Sequence, residues 1–136
     1  MRISDFDSHL TVEAEGRYRL VDLYDLFDRV QAESEKRGHH GVILDVTRIS
    51  GTIPLMDMFV LGEHCSQVWK LSFRVALIPP EGGVYSFFEN VACNRGVQVA
   101  VVSDYEAAMG WLTLPRVSAE CAAVFNGVSS SSPPPL

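Results

Sequence analysis

The second half of the chain alternates short apolar runs with segments whose apolar residues recur at helical spacing. The apolar runs cover residues 42–46, 73–78 and 97–102. Continuous runs of this length are typical of strands that are covered on both faces of a parallel sheet. The segments between and after them predict helices that connect one parallel strand to the next. This order of elements predicts a β-α-β-α-β-α unit.

The first part of the chain shows the alternation of a strand that has one solvated face. Residues 9–14 alternate between apolar and polar side chains, and residues 2–6 are the expected partner strand. We expect these strands to form the antiparallel edge of the sheet, and Gly16 to end the second of them. The predicted fold class is therefore α/β, with packed helices on a single mixed, mostly parallel sheet of about four or five strands.

A helix is predicted at residues 23–37. Asp22 is placed as its N-cap, with Asp25 as the acidic partner of a capping box. Gly38 supplies the left-handed residue that ends the helix. The apolar residues of this segment fall on one stripe, which predicts that only one side of the helix is buried.

Two later helices are predicted at residues 85–95 and 104–112. Asp104 is placed as the N-cap of the second of these. Trp111 follows on that helix, and we expect its indole to pack against the sheet.

The helix predicted from Pro54 to about Trp69 is apolar around almost its whole first two turns, with Asp57 as the polar exception. A helix of this kind is normally buried on more than one side. Two explanations are open: a second subunit covers the surplus, or the amino-terminal strands or the segment after Pro115 cover it. The residues predicted to form a dimer or ligand surface are Met56, Met58, Phe59 and Leu61.

The loop at residues 47–52 follows the central strand, at the end of a sheet where α/β proteins tend to place functional groups. It has one glycine and no following lysine, so it is neither a Walker loop nor a dinucleotide turn. Ser50 and Thr52 are therefore interpreted either as helix caps or as hydroxyls available for modification.

No residue constellation predicts catalysis or metal binding. The histidines His9, His39, His40 and His64 have no companion at a spacing that implies a nucleophile and its base. Asp57 and His64 share a helix face, but two ligands fall short of a structural metal site. We expect a protein that is not an enzyme and that has no cofactor.

The composition predicts one globular domain. The chain has 136 residues, of which 47% are hydrophobic and 21% charged. Residues 1–128 are predicted to form the domain, and residues 129–136, rich in serine and proline, a flexible tail. The net charge of −6, with scattered basic residues, argues against nucleic acid as a partner.

The three cysteines, Cys65, Cys93 and Cys121, each lie in an apolar stretch. Such thiols usually act as small core hydrophobes in a reducing compartment. The amino terminus does not have the apolar run of a signal peptide, and no run is long enough to span a membrane. We therefore expect a cytoplasmic protein without integral membrane association.

Several of these segments resemble bacterial STAS-like domains, which are relatives of the anti-sigma-factor antagonists and are sometimes described as CRAL-TRIO-like. The resemblance covers about residues 9–113. The segments that carry it are Leu44-Asp45-Val46, Leu61-Gly62-Glu63, Arg74-Val75-Ala76-Leu77-Ile78, and residues 88–102 and 104–112.

The resemblance implies a mixed sheet with helices that acts in regulated protein association or binds an apolar ligand. In the antagonists, a phosphorylated serine follows the central strand within an Asp-Ser-Ser/Thr-Gly pattern. Here Ser50 precedes Gly51, but Arg48 and Ile49 stand where the pattern has Asp-Ser. The predicted function is a non-enzymatic, homodimeric protein–protein interaction domain with Ser50 and Thr52 as candidate phospho-acceptors. The alternative is a small carrier or sensor that binds a lipid-like or other apolar ligand between the helix at residues 54–69 and the sheet.

Overall fold

The computed structural model describes residues 1–6, 8–69 and 73–113. The helices and strands follow one another in the order β1 (Arg2–Asp5), β2 (Leu10–Arg17), α1 (Leu20–Arg37), β3 (Gly41–Ser50), α2 (Leu55–Val68), β4 (Arg74–Ile78), α3 (Ser86–Asn94), β5 (Gln98–Val101) and α4 (Tyr105–Leu112). The predicted tail at residues 129–136 lies outside the described residues, as does Cys121.

The strands form one five-stranded sheet in the order β1-β2-β3-β4-β5. Strand β1 pairs antiparallel with β2, whereas β2, β3, β4 and β5 pair in parallel. The predicted α/β class, the mixed sheet and its antiparallel amino-terminal edge are therefore confirmed. Parallel neighbours need crossover connections, and α1, α2 and α3 supply them.

The described helices are divided unequally between the two faces of the sheet. Alternate strand residues point to opposite faces, so Leu44 and Ile43 belong to different hydrophobic clusters. The Leu44 cluster includes buried residues of α1, α2 and α3, and the Ile43 cluster includes Ala108 and Trp111 of α4. The predicted packing of Trp111 against the sheet is confirmed, since this residue is 6% exposed.

Helix α2 occupies the centre of the three-helix layer. It contacts α1 on one side and α3 on the other, and a methyl group added at Gly62 would lie 2.6 Å from Cγ1 of Val91. Met58 and Leu61 are buried in the core, at 4% and 2% exposure. Neither residue is exposed on the surface of the single chain; their predicted place on a dimer or ligand surface stays a prediction. The neighbouring helices supply the cover that the apolar circumference of α2 requires.

Two local boundaries differ from the predicted ones. Helix α1 begins at Leu20 with Arg19 as its N-cap and no side-chain cap, so the prediction of Asp22 as the cap was wrong. Asp22 lies in the first turn instead, where its charge complements the helix dipole. Gly16 does not end β2. The register of pairing with β3 shifts between Glu13 and Glu15, as at a β-bulge, and pairing then continues to Arg17.

Two other predicted helix ends are confirmed. Gly38 ends α1 in the left-handed conformation with φ 75°. The Asp104 side chain caps α4 by accepting a hydrogen bond from the N–H of Ala107 at 2.8 Å.

The described cysteines differ in state. Cys65 is a free thiol in the core, and burial raises its pKa to about 12. Cys93 is disulfide-bonded, which departs from the expectation of reduced core thiols.

Candidate functional site

The carboxyl ends of β3 and β4 open onto a cavity of about 430 Å³. Its walls are the loop after β3 and the loop after β4, together with Met58. Gly51 and Gly82 have φ values of 98° and 77°, a conformation that other residues rarely adopt and that lets each loop turn tightly. The lining residues are Ile49, Ser50, Gly51, Thr52, Ile53, Met58, Pro80, Glu81, Gly82, Gly83, Val84 and Tyr85.

Ser50 and Thr52 are both exposed at this cavity. Helix α2 has Pro54 as its N-cap residue, and no side chain caps it. The interpretation of the two hydroxyls as helix caps was therefore wrong. The loop brings both hydroxyls to the cavity wall, whether or not they are modified.

A tyrosine from the end of β2 holds the loop after β3 in place. The backbone N–H of Tyr18 donates to the carbonyl oxygen of Ser50 at 2.8 Å, and its hydroxyl donates to Oδ2 of Asp57 at 2.7 Å. Burial and then the bond to Asp57 raise the pKa of Tyr18 above its ordinary value. The phenol therefore remains a donor at neutral pH and links the loop to the first turn of α2.

Asp57 and His64 do not converge on a common position. Asp57 accepts from Tyr18, whereas Nε2 of His64 lies 2.8 Å from Oδ1 of Asp28 on α1. Within residues 1–6, 8–69 and 73–113, no group of three or more His, Cys, Asp or Glu side chains is placed to hold a metal ion.

Tyr85 is the most deeply buried hydroxyl-bearing residue of the cavity wall. It is 7% exposed, and burial raises the pKa of its phenol to about 12. Among the described residues it has no hydrogen-bond partner for the hydroxyl, although the phenol lies close enough to Tyr18 to affect its pKa. The hydroxyl oxygen itself is not enclosed, since Oε1 of Gln31 is the one fully buried side-chain oxygen or nitrogen without a partner in the described part of the chain. Nothing in the sequence distinguishes Tyr85 from the other tyrosines, so sequence reasoning missed it.

Exposed apolar side chains lie at the starts of α2 and α3, beside the cavity. We call Leu55, Met56, Val84 and Phe87 the apolar rim; their exposures are 65%, 68%, 73% and 37%. Of the predicted surface residues, Met56 belongs to this rim. Phe59 is partly buried beneath the guanidinium of Arg95, whose carbon lies 5.4 Å from the ring centroid.

The opposite face of the sheet carries a polar group of residues around Asp45. Its carboxylate accepts from the N–H and the hydroxyl of Thr47 and from the hydroxyl of Tyr105 at 2.8 Å. Partial burial raises the pKa of Asp45, but these hydrogen bonds together outweigh it and hold the pKa below its ordinary value. The carboxylate is therefore already occupied by local donors.

The chain matches no protein-family model and no curated protein. None of the described helices is long and apolar enough to cross a membrane.

Proposed function

We propose that this chain is a non-enzymatic protein–protein interaction domain of the STAS-like type, with the apolar rim as its docking surface. The observation that supports this proposal is the concentration of exposed apolar side chains at one edge of the sheet. Leu55, Met56 and Val84 are each more than half exposed there. Apolar groups that remain in water after folding are stabilised when a partner covers them.

The chemistry beside the rim favours recognition over catalysis. A serine nucleophile needs a base within hydrogen-bond reach. In the part of the chain that the structure describes, no histidine bonds to Ser50 or Thr52: His9 lies against Ser8, His39 against Asp5 and His64 against Asp28.

Ser50 and Thr52 offer a means of regulating this surface. Both are exposed, and a phosphate at either position would place negative charge beside the amino terminus of α2, where the helix dipole favours it. Ser50→Asp is expected to fold normally and to change the set of proteins captured from the native host. Identical sets for the wild type, Ser50→Ala and Ser50→Asp would contradict a regulatory role for Ser50.

The first partner to test is a second copy of the chain. A two-fold dimer would place the same rim on both subunits. Met56→Asp puts a carboxylate on a residue that is 68% exposed, so it is expected to leave the monomer folded and to weaken pairing. Sedimentation equilibrium at micromolar concentration measures the association.

Val21→Asp is the matched control, since Val21 is 50% exposed in the first turn of α1 and outside the rim. We expect it to pair like the wild type. A monomeric wild type would contradict the dimer, and equal weakening by both variants would contradict the choice of surface.

The same proposal places the domain in the cytoplasm, which fractionation of the native host tests. Recovery in an oxidising compartment, where the Cys93 disulfide would persist, would contradict this location.

A second candidate function is that of a small carrier or sensor. The space between α2 and the sheet, where such a ligand was predicted, is filled by Met58, Leu61 and Cys65. The cavity at the loops, of about 430 Å³, is large enough for a small molecule. Native mass spectrometry of freshly purified protein tests this function: a bound small molecule would support it, and mass equal to the bare chain would not.

A further inference from the structure

We infer that the apolar rim takes a basic peptide segment of another protein, which inserts an aromatic side chain between the loops after β3 and β4 and turns its cations toward Glu81. This inference rests on the proposed function, because it names a partner for the same rim. The basic segment and a second copy of the chain would compete for this surface.

The rim lies beside an opening that one large side chain can enter. Leu55 and Met56 stand at the start of α2, and Val84 and Phe87 at the start of α3. The cavity of about 430 Å³ lies between the loops that precede these helices, and Val84 also lines it. Interfaces are commonly anchored by an aromatic side chain that fills a pocket, while the contacts around it exclude water. The rim and the cavity together have this form.

The segments that form the rim and the cavity, and the segment that follows β5, contain acidic residues and no lysine or arginine. These segments are residues 49–69, 79–94 and 101–113, and their acids are Asp57, Glu63, Glu81, Glu89, Asp104 and Glu106. The amino terminus of each of their helices contributes only about half a positive charge. Two copies that met through this surface would bring acids together, which like charges oppose, whereas a basic segment is attracted to it.

Glu81 is the acid that a partner at the cavity can reach. It is exposed in the loop after β4, and it is the one charged residue among the described residues that line the cavity. No described side chain forms an ion pair with it. The carboxylates of Asp57, Glu63 and Glu89, in contrast, already accept hydrogen bonds from other residues of the chain. A cation of the partner therefore finds an unpaired carboxylate at Glu81.

The basic residues at this end of the sheet come from the other side of the cavity. Arg17 ends β2, Nε of Arg19 lies 4.0 Å from Oδ2 of Asp22, and Nη1 of Arg48 lies 3.7 Å from Oε1 of Glu15. These arginines belong to β2, the residues after it and β3, whereas Glu81 follows β4 in a sheet of order β1-β2-β3-β4-β5. The charges therefore orient the partner, with its cations toward the loop after β4.

A labelled peptide, Lys-Lys-Leu-Trp-Leu-Lys-Lys, is the probe, and its binding to the full chain is followed by fluorescence anisotropy at low salt. One comparison peptide has glutamate in place of each lysine, and another has alanine in place of tryptophan. We expect each of them to bind about tenfold more weakly, because the first loses the charge complementarity and the second the aromatic anchor. Added salt should weaken binding of the basic peptide.

Two pairs of variants locate the binding surface. Glu81→Gln is expected to weaken the basic peptide about threefold, and Asp25→Asn, at an exposed acid of α1 that does not line the cavity, is expected to bind it as the wild type does. Met56→Ser removes an apolar contact of the rim and should weaken binding about fivefold. Val21→Ser, at a residue outside the rim, is its matched control.

The outcomes separate this inference from the proposed function. Equal affinity for the basic and acidic peptides, or equal losses in Glu81→Gln and Asp25→Asn, would overturn the basic partner and leave the rim as a docking surface. Unchanged binding in Met56→Ser would overturn both the inference and the choice of the rim. No binding of the basic peptide at millimolar concentration would overturn the inference, and self-association weakened by Met56→Asp would then assign the rim to a second copy.

Discussion

The two faces of the sheet bury their hydrophobic residues in different ways. One face is covered by α1, α2 and α3, and its core draws residues from each of these helices and from every strand between β2 and β5. Within residues 1–6, 8–69 and 73–113, the other face is covered by α4, whose buried residues are Ala108 and Trp111. On the first face the helices therefore contribute many buried side chains, whereas on the second face the contribution of the helix is concentrated in one indole.

A buried arginine reinforces this concentration. Arg74 is 7% exposed, and its guanidinium carbon lies 5.5 Å from the centroid of the Trp111 ring. Its Nη1 donates to the carbonyl oxygen of Trp111 at 3.3 Å. A cation at the carboxyl end of a helix is stabilised by the unpaired carbonyl groups there. Trp111 thus serves both as the main apolar contact of α4 and as the partner of a buried charge.

The largest effect is expected for Trp111→Ala. Removing this side chain leaves a cavity under α4 and takes away the ring stacked against Arg74, so the free energy of unfolding should fall by about 3–5 kcal/mol. Urea denaturation followed by circular dichroism measures it. Val21→Ala, at an apolar residue that is 50% exposed and lies outside the rim, is the control and should change stability by less than about 0.5 kcal/mol. An unchanged midpoint for Trp111→Ala would contradict the concentration of burial in this residue.

A smaller loss of stability is expected from a substitution at the centre of the three-helix layer. An alanine at Gly62 would place its Cβ 2.6 Å from Cγ1 of Val91 and 3.3 Å from the N of Ala92. Valine is stiff at χ1, so the helices must move apart. We expect Gly62→Ala to lose about 1–2 kcal/mol despite its better helix propensity.

Gly110→Ala is the matched control on α4, where a Cβ would meet nothing within 4 Å. It should gain about 0.5–1 kcal/mol from helix propensity alone. Thermal denaturation followed by circular dichroism measures both variants. If both glycine variants gained stability, α2 and α3 would not be as closely packed as the structure has them.

The next loss of stability is expected when the N-cap of α4, on the second face of the sheet, is removed. Asp104→Ala removes the acceptor for the N–H of Ala107 and should cost about 1 kcal/mol. Asp104→Asn retains an acceptor oxygen and should lose much less. Equal losses in the two variants, measured by urea denaturation at pH 7, would mean that the charge contributes and that the hydrogen bond does not.

The smallest expected effect is a dependence of stability on pH, caused by Glu89 on the face covered by three helices. Burial raises the pKa of Glu89, although the N–H of Val101 donates to its Oε2 at 2.9 Å. Between the ordinary pKa of 4.5 and the raised value, the folded state binds more protons than the unfolded state. Stability should therefore decrease as the pH rises through this interval.

Glu89→Gln keeps an acceptor for Val101 and removes the titration. Melting temperatures of the wild type and this variant, measured from pH 4 to pH 8, should converge at low pH and favour the variant at high pH. Parallel curves would show that the Glu89 carboxyl does not titrate differently in the folded protein.

Local sequence patterns were sufficient for most of the fold. The apolar runs predicted β3, β4 and β5, the alternation at residues 9–14 predicted β2, and Asp104 and Gly38 marked helix ends. These features depend on the chemistry of neighbouring residues, through side-chain periodicity, capping and the conformational freedom of glycine. They can therefore be predicted from a single sequence without knowledge of its tertiary contacts.

Only the tertiary structure decided what covers each face and what lies beside the cavity. The periodicity of α2 shows that it is apolar all round, but the placement of α2 between α1 and α3 buried Met58 and Leu61 and left Met56 exposed. The loops that form the cavity are separated along the chain by all of α2 and β4. Their approach and the burial of the Tyr85 ring result from non-local packing, which a pattern of neighbouring residues does not encode.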